Sequence, residues 1–501
     1  MRESLVLLIA SAAALRTPLP PLGYVPAALS ASAPPRTQSL LLRSAARATA
    51  LTAAAAAEIK PQLPPPEDVP SARAVTVLLL CCAIGAVCAL DRVLISIAIL
   101  PMAEQFAYSD STKGAIAAGF SLGYCLGLLP AGVLASSGSP RQVLLGGLVV
   151  WSAATCATPL AAASSVPALL ATRAVMGVGE AAAVPTLQAG ILQAVAARFV
   201  QPERRSLFWG CLTASLSCGT IAAYVLAPPL IAEQGWPFVF EAFGAAGLSI
   251  AVLWAVLGAD APRELDSRIG DAGAGGGDSA GGGDGGMGEV PWRALASSRP
   301  VWAMTAAHCS SNFFMYFGLS WLPTYFSYQF GLSTADASTA ALYPFAAGAV
   351  GSLAAGAACD ALVSSLHFRR TDARKVMQSV ALGGPALAML ALCLLSAGAG
   401  GLQLERDEAE AIFVVAVGCQ AGSAAGYGCG AQDISTRLSS LIYGGTSVFA
   451  VIAGASGQYF TGWLLEQNGR DFTPMFALLV AVELAGLVAW NRWWDSERVF
   501  E

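Results

Sequence analysis

The chain has 501 residues, of which 55 % are hydrophobic and 12 % charged; ordinary soluble domains carry about 25 % charged residues. Its apolar residues fall in blocks of 20 or more, the length needed to cross about 30 Å of hydrocarbon, so the chain reads as an integral membrane protein rather than a set of soluble domains. A net charge of −5 with no basic cluster interleaved with aromatics excludes nucleic-acid binding.

Residues 1–73 differ from the rest. "ESLVLLIASAAAL" is short and apolar, follows Arg2, and resembles a secretory signal core. The Ala-, Ser- and Arg-rich stretch after it has no acid before Glu58 and resembles an organelle transit peptide. Two readings stand: a tandem presequence of the kind used by secondary plastids, or one mitochondrial or plastid transit peptide. "KPQLPPPEDVP" then reads as a stiff linker.

Twelve apolar segments follow, at about 74–98, 114–136, 142–162, 166–190, 206–231, 237–258, 300–328, 335–364, 375–398, 410–430, 438–466 and 473–493. The expected fold is therefore all-α, with twelve transmembrane helices in two six-helix bundles, 74–258 and 300–493. The Gly-rich, acidic segment within 259–299 cannot build a core and reads as a flexible linker, and 494–501 is a tail. Outside the presequence and the spans, 17 Lys and Arg fall on one side of this layout and three on the other. The termini and central loop are thus expected on the cytosol-like side, the stroma for a plastid envelope or thylakoid membrane.

Charged residues inside spans are costly, at about 2.5–3.5 kcal/mol each near a helix centre. The first segment holds Asp91 and Arg92 side by side, and the fourth holds Arg173 and, seven residues on, Glu180. Seven residues is close to two helical turns, so Arg173 and Glu180 share a face. A guanidinium facing a cavity suits an anion, and a carboxylate beside it can trade a proton. The alternative is structural: Asp91–Arg92 as a self-compensated hinge, and Arg173–Glu180 as a helix-packing pair. Asn312 and Tyr316 of the seventh segment hydrogen-bond either substrate or neighbouring helices. Glu483, in the middle of the last segment, has no evident partner. All 12 cysteines lie in spans and no two are spaced C-x-x-C; they read as packing residues, and neither a metal site nor a cofactor is expected.

The motifs "DRVLISIAILPMAEQFAYSDSTKGAI", "FSLGYCLGLLPAGVLA", "ATRAVMGVGEAAAVP", "QPERRS", "PPLIAEQGWPFVFEAFG", "WLPTYF", "ARKVMQSVALGGPA", "QDISTR" and "YFTGWLLEQNG" resemble the anion:cation symporters of the major facilitator superfamily (solute carrier family 17). The plant plastid phosphate-transporter branch is the most similar. The resemblance implies that Arg92 and Arg173 line a central anion cavity and that Glu180 couples protons or controls the cycle. It implies a cavity-facing Tyr124, with interhelical packing as the alternative, a polar role for His308, which otherwise caps interhelical hydrogen bonds, and Asp433 as the kept acid of a second-half motif. Asp91 joins the coupling or gating set. The gating motif after the second span has Ser136 in place of its acid; its repeat after the eighth keeps Asp360 with Arg369 and Arg370, so the lock between halves would rest there. Leu94, Ala117, Ser311 and Ser447 replace polar family residues.

The reading is a monomeric, non-enzymatic secondary transporter of a small anion, coupled to Na+ or H+. Inorganic phosphate is favoured, with ascorbate or glutamate next. The alternative is a non-transporting receptor or scaffold with a degenerate site.

Overall fold

A computed structural model of the chain describes residues 72–137, 139–183, 205–258, 292–396, 404–435 and 438–497. The expected presequence, most of the central loop (259–291), the end of the fourth segment and Arg437 lie outside the described residues.

Twelve long helices run through the described residues: α1 Ala72–Phe106, α2 Asp110–Ser137, α3 Pro140–Ser164, α4 Val166–Ala181, α5 Arg205–Gln234, α6 Trp236–Leu257, α7 Arg299–Phe330, α8 Thr334–Ser364, α9 Arg370–Ser396, α10 Arg406–Gln420, α11 Ser439–Gln467 and α12 Thr473–Trp493. Eight of these, together with the span Arg406–Ile434 that α10 begins, are long and apolar enough to cross a membrane. Helices α2, α4 and α7 fall outside that group. Helix α4 is described for only 16 residues, and α7 carries a run of interior polar residues that includes Thr305, His308, Ser310 and Ser311.

Helix packing repeats with a shift of six. Helix α1 packs on α5 and α6, α2 on α4, and α3 on α4 and α6. In the second half α7 packs on α11 and α12, α8 on α10, and α9 on α10 and α12. The halves meet through α2 against α11 and α5 against α8, again related by six. This is the pattern of two six-helix bundles related by an internal repeat, as transporters use.

Association of apolar helices in lipid depends on close packing, because burial gains little there. Small residues supply it at α2–α4. A Cβ on Gly177 would sit 2.6 Å from the Tyr124 amide nitrogen, and one on Gly123 would meet the backbone of Ala174, 2.7 Å from its Cα. Both contacts are with backbone, so neither can be relieved by a rotamer. We expect Gly177→Val to prevent α4 from seating, read as loss of the monodisperse peak in detergent size-exclusion chromatography. The aromatic cluster of Phe317, Tyr325, Phe326, Phe413, Phe472 and Phe476 ties α7, α10 and α12 together, with Tyr325 and Phe472 edge-to-face at 5.1 Å.

Three departures from the expected layout have clear causes. Helix α1 continues to Phe106 through Pro101, since lipid-embedded helices tolerate proline where neighbours cover the freed carbonyl. A six-residue helix, Trp292–Ser297, precedes α7 within the expected linker. The tenth segment is broken: after α10 come short 3-10 turns at Ala421–Ala424 and Tyr427–Cys429 and a short helix Gly430–Ile434. Side chains of α9 satisfy the freed backbone groups. The Tyr427 amide donates to Gln378 Oε1 at 3.0 Å, and Arg374 donates to the Ala425 carbonyl at 2.7 Å.

Candidate functional site

Helix α1 places Cys88 and Arg92 one turn apart on a single face. Both reach Glu180 of α4: Arg92 Nε donates to Oε1 at 2.9 Å, Nη2 makes a second, closer bond, and the Cys88 thiol donates at 3.0 Å. Glu180 is fully buried, while Arg92 keeps 28 % of its side-chain surface accessible. The pairing expected by the structural alternative is therefore rearranged. Arg92 bonds Glu180 across helices rather than Asp91, and Glu180 bonds Arg92 rather than Arg173. Asp91 points the other way, buried against α3, facing the Trp151 indole and the Thr155 hydroxyl without a well-formed hydrogen bond.

Arg173 has no carboxylate partner within salt-bridge distance among the described residues. It is buried; Nη1 approaches Met176 Sδ at 3.0 Å and its guanidinium lies 5.1 Å from the Phe120 ring centre. Arg92 lies over the same ring at 5.5 Å and over Tyr124 at 5.1 Å. A cation–π contact contributes about 0.5–2 kcal/mol, less than the cost of a membrane-buried cation. Glu180 and Asp91 act on the same guanidinium from beyond salt-bridge distance and offset part of that cost.

Both guanidiniums open on one cavity. Its walls also include Phe120 and Ser121 of α2, Tyr316 and Ser320 of α7, and Gln458 of α11. Both halves thus contribute. The enclosed space is ≈ 20 Å³, room for about one water, so the site is closed nearly to contact. Its polar groups are wired together: Ser121 donates to Gln458 Oε1 at 2.7 Å, and Gln458 Nε2 donates to Ser320 at 2.7 Å. Ser121, Ser320 and Gln458 were not singled out from sequence. The available signal was a glutamine within an apolar helix, which the cost of intramembrane polar groups flags.

A second, smaller space continues from this cavity past Ile95, Ala117 and Ser320 to Lys113. There a polar latch closes the halves. Asp110 of α2 takes Lys113, the Tyr328 hydroxyl at 2.7 Å and Arg470 Nε at 3.4 Å. Lys113 also contacts the Tyr328 hydroxyl, and Glu466 of α11 accepts from the Ser111 amide at 3.0 Å and from its hydroxyl. Lys113 and Arg470 are two of the three Lys and Arg on the sparsely charged side of the layout, and nothing local in the sequence pairs Arg470 with Asp110. We expect Asp110→Asn, in a cysteine-free background carrying Ser320→Cys, to raise labelling by an impermeant thiol reagent added at the latch side several-fold. Unchanged labelling would mean that the latch does not hold the halves together.

The other expected residues are spread out. Tyr124 packs beneath Arg92 and Tyr316 lines the cavity. His308 does not line it: Nδ1 lies 3.2 Å from the Thr446 hydroxyl, and the ring stacks on Tyr427 at 4.5 Å. Asn312 is half-buried and is absent from the cavity lining. Asp360, Arg369 and Arg370 are not brought together: Arg369 bonds Asp372 at 2.8 Å, while Asp360 and Arg370 are exposed. Asp433 instead pairs with Arg374 at 2.8 Å within the second half. Glu483 is fully buried in α12 with both oxygens unbonded.

Comparison with known proteins gives the family and the fold. The family model described as Major Facilitator Superfamily matches residues 81–439. The chain is 30 % identical over 429 residues to the sodium-dependent phosphate transport protein 1, chloroplastic, of Arabidopsis thaliana, covering 85 % of this chain and 80 % of that one. It is 30 % identical over 432 residues to the chloroplastic ascorbate transporter of the same plant, covering 85 % and 75 %. The fold is similar to that of a bacterial homolog of the human lysosomal transporter Spinster, in an inward-facing and occupied conformation. There the TM-score is 0.63 at 18 % identity, over 83 % of this chain and 95 % of that one.

Proposed function

The chain belongs to the major facilitator superfamily, a group of multi-pass membrane transporters rather than enzymes, and within it we propose a secondary transporter of a small anion, with inorganic phosphate as the first substrate. The observation that carries this reading is the pair of guanidiniums, Arg92 and Arg173, on one cavity walled by both halves. Guanidinium matches phosphate or carboxylate oxygens in a fork. Tyr316, Ser320 and Gln458 add hydrogen-bonding groups from the second half. Phosphate and ascorbate are the substrates that relatives at 30 % identity are named for, and a plastid envelope is the membrane we propose for this chain.

The mechanism follows from the ion pairing. In the closed site Glu180 occupies Arg92. An entering anion competes for that guanidinium while Arg173 draws it in. Glu180 is then released from Arg92 and becomes free to take a proton, so that anion and proton move together. With Arg92, Arg173, Asp91 and Glu180 all charged the cluster is neutral, and one proton on a carboxylate leaves the single positive charge that a monovalent anion balances. Rocking of the halves would open the latch at Asp110 on one side or the far end on the other.

Purified protein in liposomes preloaded with unlabelled phosphate should accumulate labelled phosphate by counterflow. A panel of phosphate, ascorbate, glutamate and sulfate, with and without sodium and proton gradients, ranks the substrates and the coupling ion. No counterflow with any of the four would overturn transport in favour of a receptor role.

A further inference from the structure

A groove separate from the central cavity lies between α7, α11 and α12. Its volume is ≈ 920 Å³, near the top of the roughly 300–1,000 Å³ range of small-molecule sites. Arg299 and Arg492 stand in its lining, with Trp302, Phe449, Ile452 and Trp493. We propose that this groove binds one membrane lipid with an anionic headgroup, held by Arg299 and Arg492, with an acyl chain along the apolar wall.

Three observations support the assignment. The two arginines are exposed and neither forms an ion pair among the described residues. Arg299 sits in the first turn of α7, where the helix dipole disfavours a cation, so its own helix gives no reason for it. Second, the groove is amphipathic along its length. Its charged end lies at the start of α7 and the end of α12, where a membrane helix meets the headgroups, and Ala306, Ile452 and Ala453 continue the wall inward. Third, two indoles frame the charged end, with Trp302 47 % and Trp493 45 % exposed. Trp302 is fixed there by its N–H bond to the Ala296 carbonyl at 2.7 Å and by contact with Phe449, ring centres 6.2 Å apart. Trp at this depth is typical of the headgroup zone.

Other occupants fit less well. The groove lining carries cations and no acid, so a second copy placed symmetrically over it would oppose like charges. The acidic linker has the charge, but between Gly270 and Glu289 Met287 is its only large apolar residue, too little to cover the apolar wall. A free anion would leave that wall uncovered.

Native mass spectrometry of the full chain in detergent tests this. With equal phosphatidylglycerol and phosphatidylcholine added, one phosphatidylglycerol should be retained about 30-fold more than phosphatidylcholine, on the scale of two basic residues at a charged lipid surface. The double variant Arg299→Ala/Arg492→Ala should lose the preference. Ile452→Trp, which fills the wall and keeps both arginines, should lower retention of both lipids. Thermal unfolding identifies variants that have not folded, and the folded member of the pair then decides. Equal retention of the two lipids by the parent chain, an unchanged preference in a folded arginine variant, or unchanged retention in a folded Ile452→Trp variant overturns the proposal. So does displacement of the lipid by inorganic phosphate, or a dimer that protects the groove.

Discussion

Arg173→Ala should lower phosphate uptake into proteoliposomes by about 100-fold or more in Vmax/KM, with the protein still folded. The size follows from charge-assisted hydrogen bonds to an anion in a site that holds little water. Each contributes about 1.5–3 kcal/mol, and a fork of two is lost together. Arg173 makes no direct ion pair among the described residues, but it helps balance Asp91 and Glu180, so a monodisperse peak in detergent size-exclusion chromatography is required before uptake is read. The same change at Arg92 would strand Glu180, a buried acid, and so confound binding with folding. Arg173→Lys is the control: it keeps the charge but loses the planar fork, and should restore part of the uptake. Uptake by a folded Arg173→Ala variant at the parent rate would remove Arg173 from the mechanism.

Glu180→Gln separates binding from coupling. The amide keeps the shape and can still accept from Arg92 and Cys88, which now bond Oε1. It cannot carry a proton between the two faces of the membrane. Counterflow of phosphate should persist, since exchange needs only binding and rocking. Accumulation driven by a proton gradient should fall at least about tenfold, which is about 1.4 kcal/mol of lost coupling. Concentrative uptake at the parent level would assign coupling elsewhere, with Asp91 next to be tested because it is buried close to the same cluster. If a sodium gradient drives uptake and Glu180→Gln leaves it intact, the carboxylate serves only to hold Arg92.

Much of this was legible in the chain itself. Helix number and order came from block lengths, because the bilayer demands about 20 apolar residues per crossing whatever the packing. Arg92, Arg173 and Glu180 were legible for a related reason. In lipid the cost of a charge is set by its depth, which hydropathy reports, and not by its partner. The family motifs around them agree with the match over residues 81–439.

Partners were a different matter, since they depend on helix rotation and on contacts between segments far apart in the chain. The bond from Arg92 to Glu180 spans 88 positions, and the Ser121–Gln458 bond spans 337. Neither leaves a local pattern. The same holds for the latch, where Asp110 bonds Tyr328, 218 positions away, and also meets Arg470. Asp360, Arg369 and Arg370 illustrate the converse. Their motif is local and readable, but their side chains face outward or pair within one turn, and Asp433 turns to Arg374. The sequence by itself determined which charges had to be enclosed; the tertiary structure alone decided which of them face one another, because that is fixed by the rotation and closeness of helices packed backbone against backbone at glycines such as Gly123 and Gly177.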